Sequence, residues 1–134
     1  MLKAFLSKIG IGGLEVDTVV DNQTLEEGEV LNGTVYIDGG DADQIIDYIT
    51  LEVFVRIHRE DAMSDFEDVD KTLTKHSIEL IGDSKSKETR IIPFEIVPDD
   101  RWLINKDSEK LLLKTTVHID NGVDAYDEDE FHYA

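Results

Sequence analysis

The chain contains no cysteine. That excludes a disulfide scaffold, thiolate-ligated zinc and thiol catalysis. Cationic side chains are scarce: 13 Lys and Arg stand against 31 Asp and Glu, for a net charge of −18. Nucleic acid and anionic lipid surfaces repel such a chain, so neither is an expected partner. Cations and basic proteins are the partners its charge admits. No apolar run approaches the ~18 residues a membrane-spanning helix needs. The opening MLKAFLSKIGIGG is interrupted by Lys3 and Lys8, and no small-residue cleavage site follows it. The expectation is a cytoplasmic protein. Asn22-Gln23-Thr24 and Asn32-Gly33-Thr34 fit the glycosylation pattern but read as chance without export.

Catalytic signatures are missing too. There is no G-x-S-x-G, no P-loop lysine pattern and no H-E-x-x-H. Gly10-Ile11-Gly12-Gly13 follows a helical pattern and precedes a strand, the reverse of the order a dinucleotide loop requires. Carboxylates are so numerous that no two stand out as an acid–base pair. The reading is a protein with no enzymatic activity and no cofactor.

What is present is alternation. The 134 residues are 40% hydrophobic, enough for one domain with a core. Leu2, Phe5, Leu6 and Ile9 share one face of a short amphipathic helix over residues 1–10, which glycines then end. Two or three turns do not hold alone in water, so that face needs a docking surface. From residue 14 the period changes to two. Leu14, Val16, Thr18 and Val20 alternate with Glu15, Asp17 and Val19, and Val35 and Ile37 continue in a second strand. Ile49, Leu51, Val53, Val55 and Ile57 form the clearest strand face, with Phe54 among the polar residues opposite. Residues 60–70 show no period and read as a long acidic loop. Strands follow over 71–81, with His76, Ile78 and Leu80 opposite Leu73, and over 88–97, where Pro93 requires an edge or a bulge. Leu111, Leu113, Thr115, Val117 and Ile119 share the last alternating face, before an acidic tail with three aromatics. Six or seven strands without a βαβ rhythm predict an all-β antiparallel sandwich over 14–134, in a single domain spanning 1–134.

The histidines, His58, His76, His118 and His132, lack metal-ligand spacing and read as surface strand residues. The acidic clusters are the main chemical feature. One holds Glu60, Asp61, Asp65, Glu67, Asp68 and Asp70; the other holds Asp124, Asp127, Glu128, Asp129 and Glu130. Calcium takes six to eight oxygens, often from sandwich loops. An alternative calcium set is therefore Asp65, Asp68, Asp70, Asp124, Asp127 and Asp129, serving ion-dependent adhesion or membrane docking. Neither cluster fits the EF-hand order. The other reading is a solvated face, or a docking surface for a basic partner.

Several motifs carry a resemblance in order and spacing. They are Val16-Asp17-Thr18-Val19, Leu25 through Ile37, Gly39-Gly40, Gln44, Ile46, Ile49 and Leu51. Ile92-Pro93-Phe94-Glu95-Ile96, Val97-Pro98, Ile119-Asp120, Val123-Asp124 and Asp127-Glu128-Asp129 complete the set. Together they are similar to the bacterial sporulation-control proteins, an arrestin-like family. Glu27 stands where that family commonly has proline. The resemblance covers nearly the whole chain and corresponds to the family's first, N-terminal arrestin-like domain; a second sandwich follows in the family members. It implies an immunoglobulin-like sandwich without catalysis, acting in regulation or scaffolding through protein contacts. An uncovered sandwich face implies a partner protein, or a homodimer built on Leu2, Phe5, Leu6 and Ile9 or on an edge strand.

Overall fold

A computed structural model describes residues 14–38, 46–60, 66–79, 89–120 and 123–134. The expected helix over 1–10 lies outside the described residues. The elements are β1 (Glu15–Val20), β2 (Thr24–Leu25), β3 (Leu31–Asp38), β4 (Ile46–Glu60), β5 (Phe66–Glu79), β6 (Thr89–Ile96), a 3-10 turn (Asp100–Trp102), β7 (Glu109–Ile119) and β8 (Ala125–Tyr133).

Two sheets form. One has the order β1-β3-β6, the other β2-β8-β7-β4-β5. All pairings are antiparallel except the two-residue β2–β8 contact. The period-two pattern explains which faces meet. β3 turns Leu31, Val35 and Ile37 inward and Asn32, Thr34, Tyr36 and Asp38 outward. β4 contributes Ile49, Leu51, Val53 and Val55 to the interior, and β7 contributes Leu111, Leu113 and Val117. The two inner faces interdigitate in the manner of an arrestin-like sandwich. Trp102 closes one end of the core. It is fully buried, meets Phe131 and Tyr133 edge-on at 5.5 and 5.6 Å, and donates its indole N–H to the Thr74 hydroxyl at 3.2 Å.

One expectation is corrected. The acidic stretch over 60–70 is not a long loop: β4 runs to Glu60 and β5 begins at Phe66. The ladder continues through Arg56↔Asp70, Ile57↔Val69 and His58↔Asp68, so opposite charges on facing strands sustain the pairing where hydrophobic alternation fades. The acidic tail is also a strand. β8 buries Ala125, Asp127, Phe131 and Tyr133, and acids at two positions of that face, Asp127 and Asp129, mask the period. A third feature is a bulge in β5. Val53 pairs with Thr74 and Phe54 with Thr72, which leaves Leu73 as the extra residue, buried in the core. Pro93 lies on β6, an edge strand of its sheet among the described residues.

Candidate interaction surface

The outer face of the five-stranded sheet carries most of the ordered polar chemistry. At its centre Phe54 pairs with Leu112 across β4 and β7, and both are buried although they face away from the core. Long side chains cover them: the Arg56 guanidinium lies 5.4 Å from the Phe54 ring centroid. Arg56 also binds Asp70 through two hydrogen bonds of 2.9 and 3.1 Å and approaches Glu128 at 3.6 Å. The Arg56 hydrogen bond holds the Asp70 carboxyl below the usual carboxylate range, against the opposing effect of burial, and the same bond raises Arg56. Thr72 donates its hydroxyl proton to Glu52, and Lys114 lies over the Tyr126 ring at 4.7 Å.

A second polar cluster sits near the β7–β8 turn. The His118 ring stacks on Tyr48 at 4.2 Å. Its two nitrogens reach the Thr50 hydroxyl at 3.0 Å and Asp124 at 3.1 Å. Asp124 also accepts the Ile119 N–H at 3.0 Å, which fixes the chain as it turns from β7 toward β8. At the opposite end a concavity of about 320 Å³ opens between Arg56, His58, Asp68 and the 106–110 segment. Its charges are of both signs, and His58 is bonded to Asp68 at 2.9 Å.

The sandwich also presents strand edges. Among the described residues β5 pairs only with β4, and β6 only with β3. β5 is 14 residues long, so one row of its backbone N–H and C=O groups faces away from the sheet.

The described members of the alternative calcium set each have their own contacts. Asp65 lies outside the described residues. Asp68 is bonded to His58, Asp70 to Arg56 and Asp124 to His118. Asp127 is buried and accepts the Thr18 N–H at 2.8 Å, while Asp129 lies two residues along β8. Among the described residues no three His, Asp or Glu side chains lie together as metal ligands. His76 is exposed on β5, and His132 is exposed on β8 with its N–H bonded to the Gln23 carbonyl. Leu2, Phe5, Leu6 and Ile9 lie outside the described residues. Sequence reasoning missed the Thr18–Asp127–Thr115 group that joins β1, β7 and β8, since it depends on a pairing across the two sheets. The available signal was a threonine at an inward position of each of two strands, Thr18 and Thr115.

Two packed sheets, a sealed apolar interior and an outer face of paired charges define an arrestin-like β-sandwich. The chain belongs to the SpoOM protein family, whose model matches residues 2–133. It is 29% identical over 129 residues to the sporulation-control protein spo0M of Bacillus subtilis (strain 168), covering 95% of this chain and 49% of that protein. The crystal structure of Spo0M from Bacillus subtilis superimposes with a TM-score of 0.76 at 25% identity, over 92% of this chain and 50% of that one. The chain thus spans about half the length of these relatives. Among the described residues no helix is long and apolar enough to cross a membrane.

Proposed function

We propose that this chain is a non-catalytic regulatory module of the cytoplasm that works by binding a basic protein segment along the free edge of β5. Membership of a sporulation-control family supports a regulatory role. The observation that carries the binding mode is the 14-residue β5 edge, hydrogen-bonded on one side only among the described residues. An incoming strand would complete its second row of backbone bonds, and side-chain charge would select the partner. Four acids on β5, Glu67, Asp68, Asp70 and Glu79, outnumber its two lysines, Lys71 and Lys75, and the chain's net charge of −18 adds to the preference for a basic strand.

Proline scanning of the edge tests the reading. Neighbouring residues on a strand point their N–H groups to opposite sides. Of Lys75→Pro and His76→Pro, one therefore removes an outward donor and leaves the bonds to β4 intact. The variant that keeps its melting temperature should lose the partner captured by the unaltered chain from host extract. Full retention of that partner by the folded variant rejects edge binding.

A further inference from the structure

The register of β1, β3 and β6 sorts the outer face of their sheet into rows. Thr34 lies between Val19 and Pro93, and Tyr36 between Asp17 and Ile91. Ile91 is 64% exposed and Val19 41%. Together these two rows make an apolar centre of Val19, Tyr36, Ile91 and Pro93. The row beyond Tyr36 carries Glu15 and Asp38, and the row beyond Thr34 carries Asn32 and Glu95. The apolar centre therefore has carboxylates on both sides along the strands.

The charge of this face has one sign. The outward positions of β1, β3 and β6 hold no Lys or Arg. The outer face of the other sheet differs, for there Arg56 bonds Asp70 and approaches Glu128, and Lys114 adds its charge beside Asp70. An apolar centre flanked by carboxylates alone complements a segment with an apolar stripe and cations on both flanks. The dimensions select a helix. From β1 to β6 the centre crosses three strands, roughly 10 Å at the usual strand spacing. Two helical turns cover roughly 11 Å. Along β3, Asn32 and Asp38 stand roughly 20 Å apart at strand rise. A helix with its side chains is roughly 10–12 Å wide, so long basic side chains extend from its flanks to both acidic rows. Addition of a strand beside β6 is disfavoured by Pro93, which has no N–H to donate.

We propose that the outer face of the β1-β3-β6 sheet docks a cationic amphipathic helix of a partner protein, laid across the strands with its apolar stripe on Val19, Tyr36, Ile91 and Pro93. Basic residues on one flank of that helix meet Glu15 and Asp38, and those on the other meet Glu95. The stripe supplies the burial and the two rows of carboxylates fix the orientation. This inference stands apart from the β5 reading, since it concerns the opposite sheet and a helix on a face rather than a strand on an edge.

The probe is a synthetic peptide of about 18 residues, long enough to be helical in water. It carries leucines at i, i+3, i+4 and i+7 and lysines on both flanks of that stripe. It is titrated into the full, isotope-enriched chain while amide chemical shifts are followed. The largest changes are expected at Val19, Thr34, Tyr36, Ile91 and Glu95, with Thr72 and Lys75 on the other sheet little affected. Ile91→Glu should weaken binding roughly tenfold or more through lost apolar burial, leaving the rest of the peptide-free spectrum in place. Glu15→Gln with Glu95→Gln should weaken it too and reduce its dependence on salt. A peptide of the same composition in scrambled order, with no apolar stripe, should bind this face weakly. Equal binding of the scrambled peptide overturns the proposal, because it reduces the effect to general attraction by an acidic chain. Unchanged shifts on β1, β3 and β6 overturn it, as does full affinity in Ile91→Glu. Changes centred on β5 overturn it while leaving the β5 reading in place. Changes at Val19, Tyr36 and Ile91 on raising the chain concentration without peptide identify a second copy as the occupant and overturn it as well.

Discussion

The backbone N–H of Thr18 donates to the Asp127 carboxylate at 2.8 Å, joining residues 109 positions apart. Among the described residues β1 is an edge of its sheet, and the side chain of Asp127 supplies the acceptor that another strand would supply from its backbone. The Thr18 and Thr115 hydroxyls meet at 2.6 Å beside this bond, and Thr115 pairs with Asp127 across β7 and β8. The three residues are buried, so these two bonds satisfy polar groups that are shielded from bulk water. They tie the two sheets together on the side where β1 approaches β8.

Asp127→Ala should therefore destabilise the fold. It leaves the Thr18 N–H buried without this acceptor, a loss of about 1–3 kcal/mol. Asp127→Asn keeps a carbonyl acceptor at the same place and should lose less. Urea denaturation of both variants checks the order. Equal stability of the alanine variant and the unaltered chain would remove the tether from the account of how the sheets are joined.

Gly33 predicts a different kind of failure. A Cβ there would lie 2.6 Å from both the Phe94 ring and the Val19 carbonyl oxygen. The ring can yield, but the carbonyl belongs to the β1–β3 pairing and cannot move without disturbing it. Gly33→Ala should cost about 1–3 kcal/mol through overpacking. Adding Phe94→Leu should recover only part of the loss, because the backbone clash persists. Complete recovery in thermal melts would assign the whole effect to the ring.

The legible parts of the fold were those where hydrophobicity and strand period coincide. Ile49, Leu51, Val53 and Val55 announce an inward face in the sequence and occupy one in the structure. The beginning of β5 and the whole of β8 were not legible. In the first, pairing rests on facing charges such as Arg56 and Asp70, which have no signature until the strands are aligned. In the second, acids at two positions of the inward face take the place of apolar residues. Asp127 was legible as chemically distinctive only through its acidic neighbours, which suggested calcium; its actual bond to Thr18 requires knowledge of two sheets. Phe54 was correctly set among polar neighbours, yet its burial depends on Leu112 and on the Arg56 side chain lying across it.

The Arg56–Asp70 pair predicts a modest dependence on pH. Its hydrogen bond lowers the Asp70 pKa in the folded state relative to an unfolded value of about 4. The contribution is thus fully present above the unfolded pKa and is lost as pH falls through the lower folded value. Both side chains remain partly exposed, so the contribution should be below about 1 kcal/mol after solvent screening. Asp70→Asn should flatten this part of the acid limb in a series of melts below pH 5, leaving stability at neutral pH only slightly reduced. An unchanged acid limb would show that the pair does not titrate with folding.

Trp102 offers a final prediction about how the core is closed. It is the sole tryptophan, fully buried, with its ring edge-on to Phe131 and Tyr133 and its N–H on Thr74. It therefore reports on contacts among the 3-10 turn, β5 and β8. Its fluorescence should shift to longer wavelength in a single step that coincides with the loss of β-sheet circular dichroism. Trp102→Ala should cost about 3–5 kcal/mol through lost burial and the cavity left behind. Trp102→Phe retains most of the apolar contact but leaves Thr74 without the indole donor, so its loss should be smaller. A fluorescence change well before the sheet signal would mean that the 100–102 turn opens independently and that β5 and β8 remain packed without it.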